Sequence, residues 1–205
     1  MENYVSFKEI CYHKDHFGTS KLIPGVVYKS GNQGNHSDEV LSKLMRVGNT
    51  GGMRSKNNIN NSTAYLVLNI THKNNSWNDQ IDYKKKEVTY YGDNSENLNI
   101  FETKHKGNLK LKNLFDNIND HENQFSLFLF ERDKDCINRD FKFIGLVVPS
   151  RLPDGLVIVK NKKEDKVIEN FKAKLLLIQD EVDFRWLNDL IDGIKPLDSI
   201  YCPLQ

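Results

Sequence analysis

The chain has 205 residues. At that size about 70 % of the unfolded surface is buried on folding, so a substantial core needs no staples. Hydrophobic residues at 38 % and charged residues at 28 % exclude a disordered chain, and no apolar run approaches the ~20 residues of a spanning helix. With 29 basic and 28 acidic residues the net charge is +1, which excludes bulk attraction to nucleic acid and leaves only local segregation of charge.

The first residues, Met-Glu-Asn-Tyr, carry no charged-then-apolar signal pattern. Cys11, Cys136 and Cys202 are odd in number and far apart, so free thiols and a reducing, cytoplasmic compartment are expected. Lys outnumbers Arg and Asn is abundant, which reads as the bias of an AT-rich genome.

Strands are expected at 4–7 and 25–28, rich in Val, Phe and Tyr. Between them, Cys11-x-His13-x-x-His16 offers possible ligands, but no second pair follows. Structural zinc wants four ligands in paired spacing, so no metal is expected. A glycine-rich stretch, 30–36, then leads into a helix with Ser37 as N-cap, Asp38 and Glu39 in its first turn, and Val40, Leu41, Leu44 and Met45 on one face. Arg46 and Gly48 end it, and a second glycine-rich stretch, 48–54, follows. Neither is a P-loop, since no Gly-Lys-Ser/Thr follows at the right spacing. They are either two ordinary turns or loops whose backbone approaches phosphates. On the second reading Lys29, Asn32, Gln33, Lys43, Arg46, Asn49, Arg54 and Lys56 are the candidate DNA contacts.

The polar run 57–63 is expected to be a loop, followed by a strand at 65–70. The tract 76–83, then a strand at 87–91 and Gly92-Asp93-Asn94, combines aromatic rings with carboxylates. A flipped base needs flat faces around it and a polar group on its Watson–Crick edge, and a carboxylate is a natural acceptor for the cytosine N4 amine. Core aromatics beside a turn Asp would look the same. Helices are expected at 109–118 and 183–191, where Leu and Ile recur at 3-4-7 spacing, and strands at 126–130, 141–148, 156–159 and 171–178. Alternation such as Phe141-Lys142-Phe143 suits an antiparallel sheet or barrel. About eight strands and three helices without βαβ alternation point to a mainly β, α+β fold, a twisted β-barrel with flanking helices. Residues 193–205 read as the start of a linker.

Pro153-Asp154 followed by Glu164-Asp165-Lys166 matches the bare outline of a Mg²⁺-dependent nuclease. Glu164 lies in a charged tract without apolar support, which is the composition of an exposed hairpin turn. No catalytic residue is therefore expected.

The order of these pieces is more specific than any one of them. Val27-Tyr-Lys-Ser-Gly-Asn-Gln-Gly-Asn-His, Gly48-Asn-Thr-Gly-Gly-Met-Arg, Tyr65-Leu-Val-Leu, Trp77-Asn-Asp-Gln-Ile-Asp, Thr89-Tyr-Tyr-Gly-Asp-Asn, Lys106-Gly-Asn, Phe141-Lys-Phe-Ile-Gly-Leu-Val-Val-Pro and Asn170-Phe-Lys-Ala-Lys occur in one order. From about residue 25 to 190 the chain resembles the N-terminal DNA-recognition domain of AspBHI-type enzymes, in the MspJI family of modification-dependent restriction endonucleases. The resemblance implies an SRA-like, PUA-like β-barrel over residues 1–192 that reads 5-methylcytosine or 5-hydroxymethylcytosine in double-stranded DNA by base flipping. It implies no cofactor, no membrane, and a separate C-terminal nuclease domain in the full-length protein. By the same resemblance Asp79 holds the flipped base, with Trp77, Tyr65 and Tyr90 stacking and Tyr91 and Asp93 behind them. Lys104 and Lys106 join the DNA contacts by their place among the basic residues near the loops. The sequence departs from the family pattern at Met53, at Asn78 and across Lys104-His105-Lys106. Three alternatives are a reader of unmodified DNA on a related barrel, a small nuclease using Asp154, Glu164 and Lys166, and a protein-interaction domain whose Asn and Lys content reflects genome bias.

Overall fold

The computed structural model describes residues 4–6, 9–10, 21–31, 36–71, 77–96, 99–120, 124–132, 139–163 and 165–203. In chain order its strands and helices are β1 (Tyr4–Val5), β2 (Lys21–Leu22), β3 (Val27–Tyr28), α1 (Val40–Leu44), β4 (Met53–Asn57), β5 (Thr63–Ile70), β6 (Gln80–Asp82) and β7 (Glu87–Tyr91). They continue with α2 (Gly107–Asp116), β8 (Ser126–Arg132), β9 (Phe141–Pro149), β10 (Leu156–Lys163), β11 (Lys166–Ile178), β12 (Val182–Asp183) and α3 (Phe184–Ile191). The fold is mainly β with few helices, as expected. The chain forms two compact units: unit 1 from the described residues of 1–71, 125–146 and 179–205, unit 2 from those of 72–124 and 147–178.

In unit 1 the strand order is β4-β5-β8-β9, with β3 on β9 and β1 parallel to β3. β5 and β8 pair in parallel, from Tyr65 opposite Ser126 to Ile70 opposite Glu131. Strands covered on both faces need not alternate, which is why 64–70 and 126–130 are buried without interruption. This parallel pair departs from the antiparallel expectation. Tyr65 and Trp186 both pack on the Phe128 ring, with centroids 5.3 and 5.8 Å away. The run 57–63, expected as a loop, is instead a strand end and a tight turn. The Asn58 side chain accepts from the Asn60 and Ser62 N–H groups, and Asn61 takes a left-handed φ of 60°.

α1 is shorter than expected and its cap differs. Residues 36–38 wind into a 3-10 turn, so Ser37 is displaced and Glu39 becomes the N-cap, accepting from the Ser42 N–H at 2.8 Å. α3 starts at Asp183, which caps the Arg185 N–H, and stops at Gly193, whose φ of 85° suits a glycine. Residues 193–203, expected to open a linker, pack on this helix: Trp186 donates to the Pro196 carbonyl, Ser199 to Asp189, and Arg185 lies over the Tyr201 ring.

Unit 2 is built on the antiparallel order β6-β7-β11-β10. The register sets Tyr91 opposite Lys172 and Tyr90 opposite Ala173. α2 contacts β11 and buries Leu111 and Leu114, starting two residues earlier than the apolar spacing suggested. Ser150 donates to the Lys174 carbonyl ahead of β10.

Candidate nucleic-acid interface

Three of the expected site residues come together in unit 2. Asp79 stands just before β6, and its Oδ1 accepts from the Tyr91 N–H at the end of β7, 2.8 Å away. The Trp77 and Tyr91 rings stack with centroids 5.5 Å apart at 27°. That is direct offset contact, so a base would stack on an outer face of the pair rather than between the rings. All three side chains are half-buried. Asp79 Oδ2 has no hydrogen-bond partner among the described residues. Burial pushes the Asp79 carboxyl up to about 7, against the pull of the Tyr91 N–H.

The segment after Tyr91 is fixed from both sides. Gly92 receives no side chain because there is no room: a Cβ there would lie 1.6 Å from Asn108 Oδ1 and 2.5 Å from Asn170 Oδ1. The Trp77 indole N–H donates to the Asn94 carbonyl at 3.0 Å, which orients the ring. Asn94 in turn donates to the Glu169 carbonyl at 2.8 Å. Sequence reasoning missed Asn94, Asn108 and Asn170, all buried.

The remaining pocket candidates are elsewhere. Tyr90 alternates with Tyr91, so it faces the core of unit 2 and is buried. Tyr65 belongs to unit 1, fully buried, with its hydroxyl donating to the Met45 carbonyl at 2.8 Å, and burial raises its pKa. Asp93 is committed to α2. The left-handed N-cap residue, Lys106, offers no side-chain cap, and Asp93 accepts instead from the Gly107 and Asn108 N–H groups and the Thr103 hydroxyl. A carboxylate at a helix N-terminus satisfies orphan donors and complements the dipole. The Tyr65 side chain is thus buried within its own unit, and the Asp93 carboxylate is taken up by the head of α2.

The basic candidates divide between the units. Lys29, Lys43, Arg46, Asn49, Arg54 and Lys56 are in unit 1, and Lys104 and Lys106 are exposed in unit 2. Asn32 and Gln33 lie outside the described residues. Lys29 is exposed, with its ammonium over the Tyr4 ring. Lys43, Arg46, Asn49 and Lys56 are half-buried. Arg54, expected to contact a phosphate, is held inward. Its side chain is 5 % exposed, and its guanidinium is 2.7 Å from Glu39 Oε1 and donates to the Gly48 and Gly51 carbonyls. Its charge is spent on shaping the glycine-rich loop. The signal was present in the sequence as a Glu at the head of the helix that the loop follows.

The nuclease outline does not assemble. Asp154 pairs with Lys174 just ahead of β10, whereas Lys166 pairs with Lys163 at the turn of the β10–β11 hairpin. The ladder between them runs from Leu156 to Lys163, on the order of 20 Å of strand. Glu164 lies outside the described residues, as do Cys11, His13, His16 and Cys136.

The family model described as restriction endonuclease AspBHI N-terminal matches residues 22–200. Among solved structures, the chain is similar to the DNA recognition domain of the cytosine modification-dependent restriction endonuclease LpnPI, with 30 % identity and a TM-score of 0.78 over 95 % of this chain and 87 % of that one. It is also similar to the DNA modification-dependent restriction endonuclease AspBHI, at 23 % identity and TM-score 0.76, covering 92 % of this chain and 48 % of that one. MspJI restriction endonuclease in complex with a 27-mer oligonucleotide matches at 18 % identity and TM-score 0.67, covering 94 % and 52 %. The last two bear on the fold alone, and the chain spans about half of each. A search of curated proteins finds no match.

Proposed function

The chain belongs to the family of restriction endonuclease AspBHI N-terminal domains, and from that premise we propose that it is a DNA-recognition domain that reads a modified cytosine, 5-methyl or 5-hydroxymethyl, by flipping the base onto Trp77, Tyr91 and Asp79. The carrying observation is Asp79 Oδ2, without a partner among the described residues, beside a stacked aromatic pair. Cytosine presents an N4 amine, a donor that a carboxylate accepts. Its N3 is an acceptor, which a protonated carboxyl satisfies. With a carboxyl pKa of about 7 both forms exist near neutral pH, the ionised one accepting from N4 and the protonated one donating to N3.

The energetics are balanced. Flipping costs a few kcal/mol of stacking and pairing. Stacking on an aromatic ring returns about 1–3 kcal/mol, and a hydrogen bond to a charged group about 1.5–3 kcal/mol. A buried 5-methyl adds roughly 0.8 kcal/mol, so preference over plain cytosine is a few-fold unless the pocket is shaped to the methyl. In the whole protein this domain would direct a separate nuclease domain to modified sites.

The test is binding to matched duplexes with cytosine, 5-methylcytosine or 5-hydroxymethylcytosine at one position, at fixed salt. Asp79→Ala is expected to abolish the preference and leave weak, salt-sensitive binding. A folded Asp79→Ala protein that keeps its full preference refutes the assignment. Equal wild-type affinity for all three duplexes favours a reader of unmodified DNA.

A further inference from the structure

Asn170 lies on β11, fully buried, and makes contacts that an apolar residue there could not. Its Nδ2 donates to the Gly92 carbonyl at 2.9 Å and to the Asn94 carbonyl at 3.4 Å. Its Oδ1 accepts from the Phe171 N–H at 3.0 Å. The Asn94 carbonyl is the acceptor that the Trp77 indole N–H also uses, at 3.0 Å. One backbone oxygen therefore joins a buried amide on β11 to the ring that stacks on Tyr91. The glycine at 92 is what allows this approach, since a Cβ there would lie 2.5 Å from Asn170 Oδ1.

We propose that Asn170 is a positioning residue for base recognition: through the shared Asn94 carbonyl it sets the angle of the Trp77 ring against Tyr91, beside Asp79. This rests on the reading of Asp79, Trp77 and Tyr91 as the base pocket. The physical reason is directional. Apolar packing would hold the 92–94 segment in place without aiming its carbonyl, whereas a hydrogen bond from a buried, rotamer-locked amide does aim it. Asn94 anchors the segment a second time through the Glu169 carbonyl, so losing Asn170 loosens the aim before it loosens the fold.

The chain has two tryptophans, which makes the test selective. Trp186 is fully buried in unit 1 and Trp77 is half-exposed, so iodide quenching reports on Trp77. In Asn170→Ala without DNA, quenching should rise. The preference for a modified over an unmodified duplex should fall about fivefold, or to none where it is smaller, the factor one net hydrogen bond is worth. Affinity for unmodified duplex and its salt slope should not change. In a Trp77→Phe background, which keeps a ring and removes the N–H, the effect of Asn170→Ala on the preference should shrink, because the link is already cut. A folded Asn170→Ala protein with unchanged quenching and unchanged preference overturns the proposal, as does an undiminished effect in the Trp77→Phe background. If Asn170→Ala does not fold, Trp77→Phe alone decides: it must lower the preference although its ring remains, and full preference overturns the link. A wild-type protein without any preference sinks the pocket reading itself, which is distinguishable from a preference that Asn170→Ala leaves intact.

Discussion

Arg54→Ala separates a buried ion pair from a phosphate contact. The Arg54 and Glu39 side chains are 5 % and 0 % exposed and their charged atoms are 2.7 Å apart. Removing the guanidinium leaves the Glu39 carboxylate buried, with the Ser42 N–H still donating to it at 2.8 Å. It also releases the Gly48 and Gly51 carbonyls, which water can reach because both glycines are exposed. The dominant loss is therefore the uncompensated carboxylate, about 3–5 kcal/mol for a broken buried pair. For a chain of this length that lowers the melting temperature by roughly 10 °C. Replacing both partners with apolar residues of similar volume, Arg54→Met with Glu39→Leu, should recover most of it, since no charge is then stranded. The assay is thermal unfolding of the three proteins by circular dichroism, with a salt titration of DNA binding alongside. A phosphate contact makes the opposite pattern: unchanged melting, weaker binding, and a salt slope lower by about one. That pattern in Arg54→Ala refutes the structural role.

Two further outcomes follow from the same geometry. The Asp79 carboxyl loses its proton near 3.8 when unfolded and near about 7 when folded, so the folded state binds the extra proton and wild-type stability falls as pH rises through that window; Asp79→Asn should therefore melt above wild type at pH 8 and alike near pH 4, and an equal difference at both values shows that burial does not act on this group. Lys106 holds a φ of 53° at the head of α2, so Lys106→Gly should stabilise by about 1 kcal/mol in denaturant unfolding, and a simultaneous drop of about one in the salt slope of DNA binding would mark its ammonium as a phosphate contact.

The long apolar strands were legible because each carries its own signal. β9 alternates Phe141, Lys142 and Phe143, and β11 alternates Phe171, Lys172, Ala173 and Lys174, as half-buried strands must. β2, β6 and β12 have two or three residues each and exist only because a partner supplies the ladder. β4 was missed because Arg54, Ser55 and Lys56 look like surface, and the burial of Arg54 depends on a carboxylate fifteen residues back. The burial of Tyr65 was hidden for a related reason. Its strand is central, and the β8 strand that covers it lies about sixty residues on, so nothing local distinguishes a site tyrosine from a core one.

At the candidate site, the rings and Asp79 were legible as a cluster, but which tyrosine stacks on Trp77 was not. Adjacent residues on a strand point to opposite faces, so only one of Tyr90 and Tyr91 can stand beside Trp77, and the register that chooses Tyr91 is set by β11. The asparagines were hidden by their own abundance. A composition that explains most Asn residues by base content gives no reason to single out Asn94, Asn108 and Asn170, the three that are buried around Gly92 and the turn after it. A physical signal was still available. Asn170 sits between Ile168 and Phe171 in a buried stretch of strand, where an unsatisfied amide would cost about 1–3 kcal/mol. An amide kept there must have partners, and the partner it has is the backbone that carries the aromatic pair. Burial and hydrogen bonding account for where Asn cannot be replaced.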